Sequence, residues 1–524
     1  MNRPERRFPS ARPPWLSALG CAGIVCLAVL FRLSDLGARN LWSDEAWVAL
    51  AALKPSAAEA LAAGQSTPPF YLLGVWLLAR LFGSGEVVLR ALSFAFGVGT
   101  VLLFWPLARR LAPPAAAWIG WALVAVSPVL VYFSKELKQY SGDAFFAVLA
   151  ALLTERFLER PGAGRLALLA VAGVVGLGFS HPLIFVLPAV GVAALGGAPP
   201  PWRRWLVAVG VLWGLSFGGC YLLFFRHQVN PELVSYWRTE FPDFSGVTAF
   251  LTWLGGAWSR YFHYFFGAPA AWWAPGAVAA GLMLLPRPGR GRLLLYWGGP
   301  LVLAFVAAAL HRYPFMANYN GSRLLLFSAP FLYLAAASGA AALVARLQDR
   351  RRLAAGAVSL AFIFSLNPGE MVRENLHPTL QRRQITPLLA RLEAEAGPRD
   401  LVYVYYYAVY PFRYYRPDFP PERVRFGSSC HENGLFPDDG EEDDDDEFPA
   451  RVWLLAAHHP GREFLENFAL GLLGQGWRQT ALHEAPGAML FCYERETRFT
   501  RRGPKAAGPQ LSGGPVPPSG RVFE

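Results

Sequence analysis

Two adjacent carboxylates, Asp44 and Glu45, stand between Trp42 and Trp47 early in the chain. Aromatic neighbours close to a bilayer strip water from a carboxylate, and a desolvated carboxylate is a stronger general base. The same pair in the first helical turn, behind Ser43 as a cap, would simply complement the helix dipole. A second group is Ser134–Asp143 (SKELKQYSGD). In a helix Glu136, Tyr140 and Asp143 share one face, while Lys135 and Lys138 share the next. That pattern supplies cations for a phosphate beside carboxylates for an acceptor or a metal. As a purely structural device it would be an interfacial charge cluster with snorkelling lysines. His181, in Ser180-His181-Pro182, is a substrate contact or a satisfied turn histidine. In His311–Arg323, Arg323 follows Tyr313, Tyr319 and Asn320. A guanidinium there can hold a phosphate with its bidentate fork or snorkel to the headgroup layer.

The elements that must position these groups are apolar. The chain has 524 residues, with 48 Lys and Arg against 37 Asp and Glu, a net charge of +11. Charged residues are 16% of it, against about 25% in soluble proteins. That is too little charge to cover a soluble surface and too much apolar residue for disorder, which leaves a membrane protein with an appended soluble part. The basic excess sits between apolar runs, as the positive-inside rule places it, and does not argue for nucleic acid. The five cysteines form neither a metal pattern nor a disulfide framework.

Trp15–Phe31, preceded by Arg3, Arg6, Arg7 and Arg12, is expected to be an uncleaved first helix with a cytoplasmic N-terminus. Further apolar runs lie near 87–108, 115–133, 144–158, 166–179, 182–197, 205–225, 270–286, 293–310, 323–345 and 353–367, for about eleven transmembrane helices in all. Starting inside, every cytoplasmic connection is then basic, from Arg109 and Arg110 to Arg350–Arg352. Thr67–Phe82 as a twelfth span would invert every later loop. It is therefore expected to lie in the outer interface, as is Phe250–Phe266 with Trp253, Trp258, Tyr261 and Tyr264. This parity puts all four polar clusters on the outer side.

Residues 1–368 thus form a membrane domain. Residues 385–495 read as a small extracytoplasmic α/β domain, with strands over Leu401–Tyr407, Arg451–Ala456 and Ala488–Tyr493 and a helix over Glu463–Gly474. Its cysteines are Cys430 and Cys492. The acidic run Asp438–Glu447 reads as a solvated loop, and 501–524 as a disordered tail rich in Pro and Gly.

The centres of the proposed spans carry almost no charge. Proton-coupled transporters need ionisable groups at that depth, so the pattern favours an enzyme working on a lipid-linked substrate; a transporter or flippase of lipid-linked sugars is the alternative. Taken in order, Asp44-Glu45-Ala46, Thr67-Pro68-Pro69-Phe70-Tyr71, Phe82-Gly83 through Arg90, Lys135 through Asp143, and Tyr313-Pro314-Phe315 to Arg323 resemble the GT-C superfamily of membrane glycosyltransferases. The branch most similar is glycosyltransferase family 39 with its relatives, the protein O-mannosyltransferases and lipid A aminoarabinose transferases. Where members often carry Lys before the Pro-Pro pair, this chain has Thr67.

The resemblance implies a polyprenyl-phosphate sugar donor and a catalytic aspartate in the first outer loop, which maps to Asp44. It leaves a divalent metal open. The chemistry then expected is an inverting displacement at the outer face of the cytoplasmic membrane. Asp44 would be the base, with Glu45 or Asp143 orienting it or the acceptor, a glycan, lipid or protein. Arg323 and Lys135 would hold the donor phosphate, with Tyr140, His181, Lys138 and Tyr313 as substrate contacts.

Overall fold

The computed structural model describes residues 14–228, 237–286, 289–315, 321–348, 351–377, 383–428, 449–458, 461–474 and 476–495. The N-terminal arginines, Tyr319, Asn320, Cys430, the acidic run 438–447 and the tail 501–524 lie outside them. Two compact units form: Met1–Leu36 with Lys54–Pro378, and Gly37–Leu53 with Thr379–Glu524.

Before the second unit's C-terminal part the helices are, in order, α1 (Pro14–Leu33), α2 (Ser43–Ala52), α3 (Ala57–Ala63), α4 (Pro69–Phe82), α5 (Glu86–Leu111), α6 (Pro114–Val126), α7 (Pro128–Ser134), α8 (Tyr140–Glu159), α9 (Ala163–Phe179), α10 (Leu183–Gly197) and α11 (Pro200–Leu223). They continue with α12 (Val247–Phe266), α13 (Ala270–Leu284), α14 (Gly289–Ala309), α15 (Ala329–Gln348), α16 (Arg352–Ser365) and α17 (Pro368–Leu376). All but α2 belong to the first unit.

This is a multi-pass membrane protein. Among the described residues, α5, α11, α14 and the runs Gly321–Leu347 and Arg352–Leu376 are long and apolar enough to cross a bilayer. The pair α6–α7, bent by 47°, passes the same test only when its two helices are taken together, and five shorter apolar helices accompany them. Helices occupy all eleven expected segments, but these lengths and compositions alone do not amount to eleven crossings. The fourth segment, for instance, begins at Tyr140 rather than 144, and as α8 it takes in Asp143, Glu155, Arg156 and Glu159.

The bend between α6 and α7 has a local cause. Pro128 has no N–H to give the Val124 carbonyl, so the helix breaks there. Arg32, 1% exposed, reaches across from α1 and donates to the carbonyls of Ala125 (2.7 Å) and Val124 (3.3 Å). Ser127 caps α7 and shares a 2.8 Å hydrogen bond with the Tyr333 hydroxyl. Elsewhere α13 and α15 approach backbone to backbone. A Cβ on Gly281 would lie 2.0 Å from the Ala335 oxygen, and one on Gly339 2.0 Å from that of Ala277. Small residues permit the close approach from which helix pairs in lipid gain their dispersion energy.

In the stretch expected at the interface, Phe250–Phe266, Tyr261 and Tyr264 are buried against the rest of the first unit. Tyr261 bonds Ser328 at 2.6 Å, and Tyr333 donates to the Phe265 carbonyl at 2.7 Å.

The second unit is built on a five-stranded sheet of order β2-β1-β3-β5-β4. The strands are β1 (Leu401–Val404), β2 (Val424–Phe426), β3 (Arg451–Ala457), β4 (Trp477–Ala485) and β5 (Ala488–Arg495). β1 runs parallel to β2 and β3, and β5 antiparallel to β3 and β4. Alternate residues face opposite layers. Val402, Val404, Trp453 and Leu455 pack with α18 (Thr386–Glu395) and α19 (Val409–Tyr415). Tyr403, Tyr405, Leu454 and Phe491 pack with α20 (Arg462–Leu473). The expected strand over Leu401–Tyr407 stops at Val404 because Tyr406–Ala408 turns into a 3₁₀ helix that leads into α19.

The first-loop helix α2 also belongs here. Trp47 stacks on Tyr410 (5.7 Å, 13° between planes), the Arg383 guanidinium lies 4.3 Å over Trp42, and the Leu41 N–H donates to the Tyr415 hydroxyl at 2.8 Å. The second unit thus takes in Gly37–Leu53, whose Trp42 and Trp47 find their partners in Arg383 and Tyr410.

Candidate active site

Between α7 and α8 the chain makes a buried turn, Lys135–Gln139, and not the continuous helix the spacing suggested. Glu136 therefore does not share a helical face with Tyr140 and Asp143. The turn is held from several sides. The Lys138 N–H bonds the Glu136 carbonyl (2.8 Å), and Ser93, itself 2.7 Å from the Tyr71 hydroxyl, donates to the Lys138 carbonyl at 3.0 Å. The Lys135 ammonium, wholly buried, donates to the Asn375 carbonyl (2.8 Å) and reaches Ser34 at 3.4 Å. Lys135 thus ties α7 to α17 and the end of α1. Lys138 is buried in the same turn.

The turn delivers Tyr140 and Asp143, three apart, to the first turn of α8. Asp143 is 2% exposed, beside Ser180, and among the described residues its Oδ1 has no hydrogen-bond partner. His181 follows Ser180 in the turn between α9 and α10. Its ring lies edge-on to Phe225 at 4.7 Å, and its Nε2 likewise has no partner among the described residues. Burial pushes its pKa down to about 4, so the imidazole is neutral at pH 7.

Arg323 lies in the 3₁₀ segment Gly321–Ser328. Its guanidinium sits 5.7 Å from the ring centres of both Tyr140 and Trp237, in cation–π contact with each. Tyr313 secures the segment by donating to the Leu324 carbonyl at 2.8 Å. Burial, then the neighbouring Asp143 and Tyr140, hold the Tyr313 phenol well above its ordinary pKa, so it remains a donor. Tyr140, Asp143, Tyr313 and Arg323 are thus brought together, with His181 adjoining through Ser180.

Sequence reasoning missed Trp237 and Glu240. Glu240 is fully buried, acts electrostatically on Arg260 of α12, and presses so close to Gly321 that any Cβ there would fall 2.1 Å from its Oε2. A side chain at 321 would require the Glu240 carboxylate to move. The neighbouring Ser322 is buried, and among the described residues its Oγ has no hydrogen-bond partner.

In the second unit Asp44 and Glu45 occupy the first turn of α2. Ser43 is not the cap expected of it. Trp42 takes that position, with no side-chain hydrogen bond to the helix. Glu45 is 2% exposed and Asp44 half-buried. The Trp42 and Trp47 contacts attach α2, and with it both carboxylates, to the rest of the second unit. Among the described residues no group of three or more metal-ligating side chains forms.

Residues 66–224 match the family of dolichyl-phosphate-mannose-protein mannosyltransferases. Among solved structures the chain is similar to ArnT from Cupriavidus metallidurans in the apo state, with TM-score 0.51 and 15% identity over 91% of this chain and 98% of that one. The same enzyme bound to undecaprenyl phosphate gives TM-score 0.51 and 15% identity over 94% and 100%. The fold is GT-C. Among proteins of curated function, none matches the chain in sequence. Of the GT-C site residues proposed from sequence, Lys135, Lys138, Tyr140, Asp143 and His181 fall inside the family match, while Asp44, Glu45, Tyr313 and Arg323 fall outside it.

Proposed function

We propose that this GT-C protein is an integral membrane glycosyltransferase that moves a sugar from a polyprenyl-phosphate donor to a glycan, lipid or protein acceptor at the outer face of the cytoplasmic membrane. The observation that carries the reading is Arg323 beside Asp143, Tyr140 and Tyr313, a cation and polar groups gathered at one place in the first unit. Buried polar atoms normally have partners. Unspent ones on Asp143, His181 and Ser322 suit a polar substrate. The match to a family named for dolichyl-phosphate-mannose, and the fold shared with an enzyme crystallised with undecaprenyl phosphate, support the donor class.

In the proposed reaction an acceptor oxygen attacks the anomeric carbon. The bond from that carbon to the phosphate oxygen breaks, and the electron pair leaves with the polyprenyl phosphate. Arg323 meets the charge developing on that phosphate with its planar fork. Asp44, on α2, takes the acceptor's proton, and Glu45 and Asp143 orient the reacting groups. One displacement inverts the anomeric centre. Lys135, engaged with Asn375, assists through the shape of the turn that presents Tyr140 and Asp143.

The test is Asp44→Asn assayed on lipid-linked sugar in proteoliposomes. Loss of a general base costs about 10²–10⁴-fold in rate, with donor binding retained. Transfer within about threefold of wild type would remove Asp44 from the base role.

A further inference from the structure

Away from the candidate site, the C-terminal end of α5, the C-terminal end of α8 and the start of α9 enclose a cavity of about 650 Å³ lined by Arg110, Arg156, Glu159, Arg160, Arg165 and Leu168. Four guanidinium groups face one carboxylate. Glu159 is already engaged by Arg110, at 2.7 Å. Arg165 donates to the Arg160 carbonyl (2.7 Å) and the Arg156 carbonyl (3.2 Å), closing the end of α8. Arg156 and Arg160 are exposed, and among the described residues neither guanidinium has an acidic partner. The cavity therefore carries a net charge near +3 with two guanidinium forks unspent.

An apolar stripe leads away from it. Leu168, Val171 and Val175 recur at helical spacing on α9 and are 53%, 57% and 38% exposed. Arg165 stands one turn before Leu168 on the same face. A soluble phosphate would need the arginines and not the stripe. A molecule with an anionic head and hydrocarbon tails needs both. We propose that this cavity is a binding site for the headgroup of an anionic phospholipid, whose acyl chains lie along Leu168, Val171 and Val175. Basic pockets at the ends of membrane helices hold such headgroups by the same charge complementarity, and the arginine forks match phosphate oxygens.

The test uses the full chain in nanodiscs of phosphatidylglycerol and phosphatidylcholine in equal amounts, with co-purifying lipid counted by native mass spectrometry. Phosphatidylglycerol should be retained over phosphatidylcholine by about tenfold or more, and the preference should fall as salt rises. Arg156→Gln with Arg160→Gln should abolish the preference, Arg156→Lys with Arg160→Lys should keep most of it, and Glu159→Gln should increase it. Free glycerol 3-phosphate at the concentration of the lipid should not displace the bound lipid.

Equal retention of the two lipids by the wild type would overturn the proposal. So would an unchanged preference in the double glutamine variant. Displacement by glycerol 3-phosphate would reassign the site to a soluble phosphate. Should the double variant fail to fold, Glu159→Gln decides alone, because a preference that does not rise contradicts a site governed by this charge balance.

Discussion

Asp143 and Asp400 are both buried aspartates, one in each unit, and they are used in opposite ways. Asp400 spends its oxygens. It accepts from the Gly397 N–H at 2.8 Å, the Trp453 indole at 2.9 Å and the Arg451 guanidinium at 3.0 Å. Those bonds join the residues before β1 to β3, and a carboxylate so satisfied stabilises the fold by fixing its neighbours. Asp143 keeps Oδ1 unspent at the head of α8, beside a neutral histidine and an arginine. A buried acceptor without a partner costs stability, and under the proposed function a polar substrate would lift that cost. Burial alone does not separate the two residues. The count of satisfied lone pairs does.

The largest expected effect comes from exchanging the two. Asp400→Ala leaves the Trp453 indole, the Gly397 N–H and Arg451 without their acceptor and should cost about 3 kcal/mol, seen as a lower melting temperature of the purified protein. Asp143→Asn should leave melting unchanged or raise it, yet slow transfer about 10²-fold through misplacement of the reacting groups. A lower melting temperature for Asp143→Asn with normal transfer would make Asp143 as structural as Asp400.

Arg323 tests the same contrast among the cations. Lys135 is engaged with a carbonyl and a hydroxyl, whereas Arg323 lies against the rings of Tyr140 and Trp237 beside Asp143 and Tyr313. Arg323→Ala should weaken donor use by about 10²-fold, the loss typical of one oxyanion-stabilising donor. Arg323→Lys should fall between, because it keeps charge and loses the fork. Near-wild-type kinetics in both would reduce Arg323 to a membrane-edge charge.

How much of this was legible in the chain follows from the range of the interactions. The membrane helices announce themselves as apolar runs, and the three-residue step from Tyr140 to Asp143 survives in α8. The local step from Glu136 to Tyr140 failed, because the turn at Lys135–Gln139 is imposed by Ser93, Tyr71 and Asn375, distant residues that override helical spacing. Glu240 against Gly321 could not be seen, since no periodicity links a polar loop to a glycine some eighty residues on. Strand β4 escaped because Trp477–Ala485 is a half-exposed edge whose polar residues resemble a loop. The place of α2 in the second unit was hidden for the same reason as Glu240.

His181 gives a smaller, pH-dependent test. Its pKa in the folded protein is about 4, below the ordinary 6.5. Between those values the unfolded chain holds the proton and the folded chain does not, so the stability contributed by neutral burial declines as pH falls from 6.5 towards 4. Melting temperatures of wild type and His181→Asn should therefore converge as the pH is lowered through that window. A gap between them that stays constant from pH 7.5 to 4.5 would mean that His181 titrates normally.

The smallest effect asks what the satisfied packing of the second unit is for. The unit spends a stacked pair, Trp47 on Tyr410, to hold a helix whose first turn presents Asp44 and Glu45. An aromatic pair adds about 0.5–1.5 kcal/mol beyond its buried area, so a Trp47/Tyr410 double-mutant cycle should show coupling of that size in melting. If α2 only completes the unit's core, Trp47→Ala lowers stability and leaves kcat alone. If α2 is the mount for the base, Trp47→Ala loosens the carboxylate and lowers kcat severalfold with little change in donor KM, while Trp47→Phe, which keeps a ring over Tyr410, restores most of the rate. The split between kcat and KM decides, because loss of folded protein lowers the apparent kcat equally for every donor concentration and is removed by normalising to the folded fraction. A normalised kcat unchanged in Trp47→Ala would leave Asp44 without the rigid support its assignment as base requires.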